Sequence, residues 1–443
     1  MIKIMRVTTV PQSLMAFCGG LGDRLRAEGW EVVAVSSPGE ELEEFGRQEQ
    51  VPVIAVPMQR HISPVQDLKS LFKMIGVLRR ERPTLVHSMT PKAGLLTMLA
   101  AWLCRVPVRV HTFTGLVWPT ATGLKRRLLM ATDWLTCACA THIIPEGQGV
   151  RHDLLQHHIT RKTIRVLGHG NVRGVDLEYW SREAVEDKSH TNQANKTNKE
   201  TPNSLDSLDS CEPSPSSPNE IQKILEISGT KSELSELSVG DTPTTRRPKE
   251  IREIREGAKF TFVFVGRIVR DKGINELAWA FHRLHEEHPE VRLVLVGPYE
   301  DNLDPIGPEA RAEIDSNPAI EAVGSQKDVR PYYAQAQCLV FPSYREGFPN
   351  VVLEAGAMGL PSIVTDINGS REIIIEGQNG TIIPPRDREA LYQAMKRFVE
   401  QPQELAAMAA NARPLIAQRF EQSYVRQCQI DFYKKVLSEA GKI

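Results

Sequence analysis

Between Ala184 and Gly257 the chain runs for 74 residues without a single Phe, Trp or Tyr. Ser, Thr, Asn and Pro fill 29 of these positions, and the echoes SLDSLDS and SELSELS add low complexity. A stretch with so little apolar surface to bury does not offset its ordering entropy, so 184–257 is expected to be a largely disordered insertion. Setting it aside leaves two blocks of similar size, 1–180 and 258–421. A last helix, over about 422–443, is expected to pack back on the first block.

Both blocks alternate short β-rich runs with helical patterns. In the first, Ile2–Val10, Glu31–Ser36, Val53–Val56, Leu85–His87 and Val108–Thr112 read as strands, with helices at Asp67–Arg82 and Ala93–Cys104. In the second, Phe260–Val265, Arg292–Val296, Cys338–Phe341 and Ser362–Thr365 read as strands, with helices at Ile274–Glu287 and Val351–Met358. Strands apolar on both faces and joined by helical crossovers imply parallel sheets covered by helices. The fold class is therefore α/β, with two doubly wound, Rossmann-like domains. Ligands of such sheets bind at the carboxyl ends of the strands, so the cleft between the domains is the expected site.

Composition narrows the function. With 54 basic and 55 acidic residues the chain has no global basic field for a nucleic-acid backbone. The insertion holds 14 acids against 10 bases, which leaves the two blocks net positive. The seven cysteines form no CxxC pair and no Cys/His metal spacing, which fits a reducing, cytoplasmic compartment. Lys3, Arg6 and the apolar residues after them look like an export signal, but Pro11, Gln12 and Ser13 interrupt the run, and a buried strand is expected instead. The longest apolar run, Ala93–Cys104, falls well short of the ~20 residues that span a bilayer.

Two segments carry chemistry. In Phe341-Pro-Ser-Tyr-Arg-Glu-Gly-Phe-Pro-Asn-Val-Val-Leu-Glu354, a strand ends, a loop presents Glu346, and a helix begins near Asn350 with Glu354 in its first turns. Amides at that helix start favour an anion such as a diphosphate. Glu354 can accept hydrogen bonds from a ribose diol, and Glu346 can reach sugar hydroxyls. In Val265-Gly266-Arg267-Ile-Val-Arg-Asp-Lys272-Gly273, Gly266 allows close backbone approach, while Arg267 and Lys272 offer a fork and a point charge to phosphate oxygens. Taken singly, each segment also reads as an ordinary solvated carboxylate or a basic strand-to-helix turn.

The pair G-R-x4-K-G and E-G-F-P-N-x3-E resembles the retaining GT-B glycosyltransferases of family 4, over essentially the whole chain outside the insertion. VHSMTPKAG, HTFTGL, GLKRRLL and GVDLEYW further resemble bacterial members that build capsular and other surface polysaccharides. The resemblance implies retaining transfer of a sugar from a nucleotide-diphosphate donor, usually UDP-linked, to a hydroxyl of a glycan or polyprenyl-linked acceptor. Arg267 and Lys272 would hold the diphosphate, Glu354 the ribose and Glu346 the sugar. Gly347, Phe348, Pro349, Asn350 and Val351 would supply the donor loop, and Gly19 and Gly20 a glycine loop over the phosphates. His111 matches a position near the donor sugar, while His87 and Lys92 are candidates for the acceptor side.

No D-x-D occurs, so no metal or other cofactor is expected, and Arg, Lys and helix amides would take its electrostatic task. Gly123–Met130, with three basic residues among apolar ones, is a candidate peripheral contact with the inner membrane face. An amphipathic helix with a solvated basic face reads equally well. Two rival functions share these residues: a GT-B nucleotide-sugar epimerase, and an inert nucleotide-sugar-binding scaffold.

Overall fold

The computed structural model describes residues 1–59, 63–185, 260–302 and 304–443. The expected insertion thus lies almost wholly outside the described residues.

The first half holds β1 (Lys3–Val7), α1 (Pro11–Cys18), α2 (Gly22–Ala27), β2 (Glu31–Ser36), α3 (Glu40–Glu49) and β3 (Val53–Ala55). It continues with α4 (Pro64–Glu81), β4 (Leu85–Met89), α5 (Pro91–Leu103), β5 (Val108–Phe113), α6 (Gly123–Cys139), β6 (His142–Pro145) and α7 (Gln148–Gln156). Its six strands are parallel and ordered β3-β2-β1-β4-β5-β6. The order reverses between β1 and β4, the switch point at which ligands of such sheets collect.

The second half repeats the plan. Its elements are β7 (Phe260–Val265), α8 (Ile274–Glu287), β8 (Val291–Val296), α9 (Pro308–Ser316), β9 (Ile320–Gly324), α10 (Arg330–Gln335) and β10 (Cys338–Phe341). Then come α11 (Asn350–Ala357), β11 (Ser362–Thr365), α12 (Ser370–Ile373), β12 (Gly380–Ile383), α13 (Arg388–Glu400), α14 (Pro402–Phe420) and α15 (Gln422–Glu439). The parallel order β12-β11-β10-β7-β8-β9 is the same topology, with its switch point between β7 and β10. β4, β7 and β10 are buried at every residue, as strands covered by helices on both faces must be. The strands not anticipated from sequence, β6, β9 and β12, are all sheet edges.

The chain crosses between the sheets twice, and the crossings are tied together. Val175 donates its amide to the Phe420 carbonyl (2.8 Å), and Gln422 donates back to the Val175 carbonyl (3.0 Å). After this point α15 returns to the first sheet. Ile430, Tyr433, Val436 and Leu437 join Ile4, Leu25 and Trp30 in one buried cluster. The Tyr433 hydroxyl bonds His87 Nδ1, while Gln429 accepts from the buried Arg6 (3.3 Å) and donates to the Val172 carbonyl (2.6 Å).

Tyr433→Ala removes this ring and leaves His87 Nδ1 without its partner, and should lower unfolding stability by about 3–5 kcal/mol in chemical denaturation. Tyr433→Phe keeps the packing and should cost only about 1 kcal/mol.

Candidate active site

The turn after β7 begins the site. Arg270–Lys272 forms a single 3₁₀ turn, and Gly273 follows at φ 72°, starting α8. A Cβ at Gly273 would lie 2.1 Å from the Pro342 carbonyl oxygen, so only glycine lets this turn rest on the end of β10. That contact brings Lys272 to the loop after β10. Its ammonium pairs with Glu346, and lies 5.2 Å from the centre of the Phe341 ring. Glu346 also accepts from the Ser343 hydroxyl (2.8 Å). Two further cations flank the pair: Arg345 bonds Asp271 (3.2 Å), and Arg267 is half-exposed and pairs with Glu300.

These groups form one wall of a cleft of about 230 Å³, together with Asp271 and Gly347. The opposite wall belongs to the first sheet: Pro91, and the residues Thr114–Val117 that follow β5. The walls meet where a Cβ at Gly347 would come within 2.2 Å of the Thr114 carbonyl oxygen. Behind this contact Phe348 is buried against the Phe420 ring (centroids 5.4 Å apart). Pro349 N-caps α11, and Val351 lies in its first turn. Asn350 accepts from Asn171 Nδ2 (3.1 Å). Glu354, one turn into α11, is buried and bonded by Arg173 Nη1 at 3.0 Å. Burial holds its carboxyl above the usual range, and Arg173 offsets only part of that rise.

The structure therefore gathers Arg267, Lys272, Glu346 and Gly347 around one cleft. Gly266 lies at the strand end beside them, and Glu354 lies on the adjoining helix. Four expectations need correction. Gly19 and Gly20 follow α1 rather than β1. Glu49 accepts from the Gly20 amide (2.6 Å), and Arg426 donates to the Gly19 carbonyl (2.6 Å), so this loop is fastened to α3 and α15. His111 is buried inside β5, its Nδ1 bonded to Ser88 (2.8 Å) and its ring against Gly94; burial lowers its pKa to about 3. His87 is likewise buried between Tyr433 and Thr112. Lys92 follows Pro91, but its ammonium is drawn to both Asp67 oxygens at 2.6 Å.

Sequence reasoning missed Thr114 and Gly115, three and four residues beyond His111 in the same HTFTGL motif. It also missed Asn171 and Arg173, whose only signal is a polar, basic pair in a glycine-rich run. Glu146, the acid directly after β6, was missed as well. Its carbonyl accepts from Asn171 (2.8 Å), and its side chain is 3% exposed. Among the described residues no hydrogen bond to its carboxyl forms. Burial, then Glu346 and Glu372, hold this carboxyl well above the usual range.

Two doubly wound sheets of one strand order, with the switch-point loop of the second facing the first across a cationic cleft, define the GT-B class of glycosyltransferases. Residues 16–170 match the family described as "Glycosyl transferase 4-like domain", and residues 259–401 match "Glycosyl transferases group 1". The chain belongs to the GT-B glycosyltransferases built from these two domains. It is 26% identical over 441 residues to the capsular polysaccharide biosynthesis glycosyltransferase CapM of Staphylococcus aureus, covering 99% of this chain and 98% of CapM. It is 23% identical over 367 residues to the Escherichia coli UDP-Gal:alpha-D-GlcNAc-diphosphoundecaprenol alpha-1,3-galactosyltransferase, covering 82% and 78% of the two chains. Among solved structures, Anabaena HepE in complex with UDP and glucose superposes with a TM-score of 0.68 at 16% identity, covering 98% of this chain and all of HepE.

Glu146 gives a test of the electrostatics. A carboxyl held above its ordinary pKa keeps a proton that the unfolded chain releases, so the native state loses stability as pH rises through and above the ordinary carboxylate range. Glu146→Gln, shaped like the protonated acid, should raise the melting temperature at pH 8, with the gain shrinking towards about pH 4.

Proposed function

We propose that the protein transfers a sugar, with retention, from a nucleotide-diphosphate donor, UDP-linked, to an acceptor hydroxyl of a lipid-linked surface glycan. The observation that carries this reading is the Lys272–Glu346 pair at the second sheet's switch point, facing Thr114 and Gly115 across the cleft. The full-length likeness to CapM supports the glycan class. The donor and acceptor in the E. coli relative's name support a UDP-sugar and a polyprenyl-diphosphate carrier.

The residues suit the work. Lys272 has three N–H donors and gives one direction to Glu346, which leaves others for a phosphate. Arg267 can release Glu300, an exposed pairing of small worth, to grip the diphosphate with its fork. Charge on the leaving phosphate grows as the C1–O bond to it breaks, and fixed cations stabilise that state more than the ground state. In a front-side transfer the acceptor oxygen bonds C1 as its proton passes to the departing phosphate oxygen. Glu346, anchored by Ser343 and Lys272, would orient the sugar through its hydroxyls. Glu354 would exchange Arg173 for the ribose diol. These cations carry the task a metal performs elsewhere, so turnover should persist in EDTA. The acceptor's lipid would bring the enzyme to the inner face of the membrane.

A panel of UDP- and GDP-sugars with a lipid-linked acceptor tests the proposal. Lys272→Ala and Glu346→Ala should each lower kcat by about 10²-fold or more while the fold is kept. Sugar interconversion without nucleotide release would show an epimerase instead. Unchanged turnover in both variants would overturn the site.

A further inference from the structure

Arg173 lies outside both donor motifs, yet it holds one of their carboxylates. Its Nη1 bonds Glu354 Oε1 at 3.0 Å. Among the described residues its guanidinium makes no other hydrogen bond, so most of the fork is unused. Arg173 is also the more exposed partner, its side chain 34% accessible against 11% for Glu354. A ligand approaching that carboxylate from solvent therefore meets the guanidinium first.

The backbone that carries this side chain is fixed. Asn171, at φ 61°, turns the chain and accepts the Arg173 and Gly174 amides on its Oδ1 (2.8 and 2.7 Å). Its own amide donates to the Glu146 carbonyl (2.8 Å), and its Nδ2 to Asn350 Oδ1 (3.1 Å). Two residues beyond Arg173, Val175 is tied to Phe420 and Gln422. The arginine side chain is the part left to move.

The segment touches α11 at two points, Asn171 on Asn350 and Arg173 on Glu354. Residues four apart share one face of a helix, about 5–6 Å from each other. Asn350 opens the helix, where free amides favour an anion. Arg173 is thus held one turn away from the place expected for a diphosphate. Arg267 and Lys272 come from the turn after β7, so Arg173 adds a third cation, from the segment that leaves the first sheet.

This arrangement has an energetic consequence. A ribose diol on Glu354 displaces Arg173, and separating a partly buried pair is costly unless the freed cation finds another anion. A nucleoside offers none. A nucleoside diphosphate offers one at the helix start, within the sweep of the same long side chain, and fork contacts to phosphate are among the strong hydrogen bonds.

We propose that Arg173 exchanges anions when the donor binds: the ribose diol takes its place on Glu354, and the freed guanidinium swings towards Asn350 and grips the diphosphate. The exchange makes the ribose and diphosphate contacts depend on one another, and it selects against nucleosides that lack phosphate. It rests on the nucleotide-diphosphate donor proposed above.

Titration calorimetry of the intact protein with UDP, and with uridine by displacement of UDP, tests the exchange. Arg173→Ala should weaken UDP about tenfold or more and leave uridine unchanged or tighter, because no guanidinium then guards Glu354. Arg173→Lys keeps the pair with Glu354 but not the fork, so UDP should weaken a few-fold with uridine unchanged. The lysine variant carries the same test should the alanine variant lose its melting transition. Equal weakening of both ligands would make Arg173 a structural prop, equal tightening a gate alone, and unchanged affinities a bystander. Each of these overturns the proposal while the donor reading stands. A wild-type protein that binds no UDP would sink the donor reading, and the exchange with it.

Discussion

Gly347 and the Thr114–Gly115 turn meet backbone to backbone, and that contact sets the geometry of everything beside it. No side chain fits between them, because a Cβ on Gly347 would collide with the Thr114 carbonyl. The loop carrying Glu346 is therefore pressed against the turn that follows β5. Gly273 plays the matching part within the second sheet, where it seats the Lys272 turn on Pro342. Two glycines thus bring an ammonium, a carboxylate and the wall of the other domain within reach of one small ligand.

The central strands were legible because they are apolar on both faces. β2, β7, β10 and β11 occur where the residue pattern places them, since nothing but a doubly covered strand accommodates FTFVFV or CLVF. β9, with the sequence IEAVG, was not legible. An edge strand packs with fewer neighbours, so its sequence can carry charge and glycine and lose the signal. The G-R-x4-K-G and E-G-F-P-N-x3-E motifs were legible for a related reason: they sit in turns where close backbone contacts require glycine. The structure keeps Lys272 and Glu346 together for that reason.

The histidines show where sequence reasoning stopped short. The strands expected from sequence end at His87 and one residue past His111, and a strand end reads as a cleft position until the register is known. Pairing of Ser88 with His111, and of His87 with Val110, puts both rings among side chains of the same sheet. The chain leaves the sheet only at Thr114. Gly19 and Gly20 misled in the same way, because the length of α1 carries them a helix away from the strand end. Glu146 left no pattern and Arg173 only a weak one, since the groups each faces are distant in sequence: Glu346 and Glu372 for the first, Glu354 for the second.

The central claim is that the switch-point cleft holds a nucleoside diphosphate through fixed cations rather than through its base alone. Titration calorimetry of the intact protein with UDP, UMP and uridine tests it most directly. The account predicts that UDP binds at least about tenfold more tightly than UMP, with uridine weaker again, and that added salt narrows the gap. Equal affinity for UDP and UMP, or no binding of either, would contradict it.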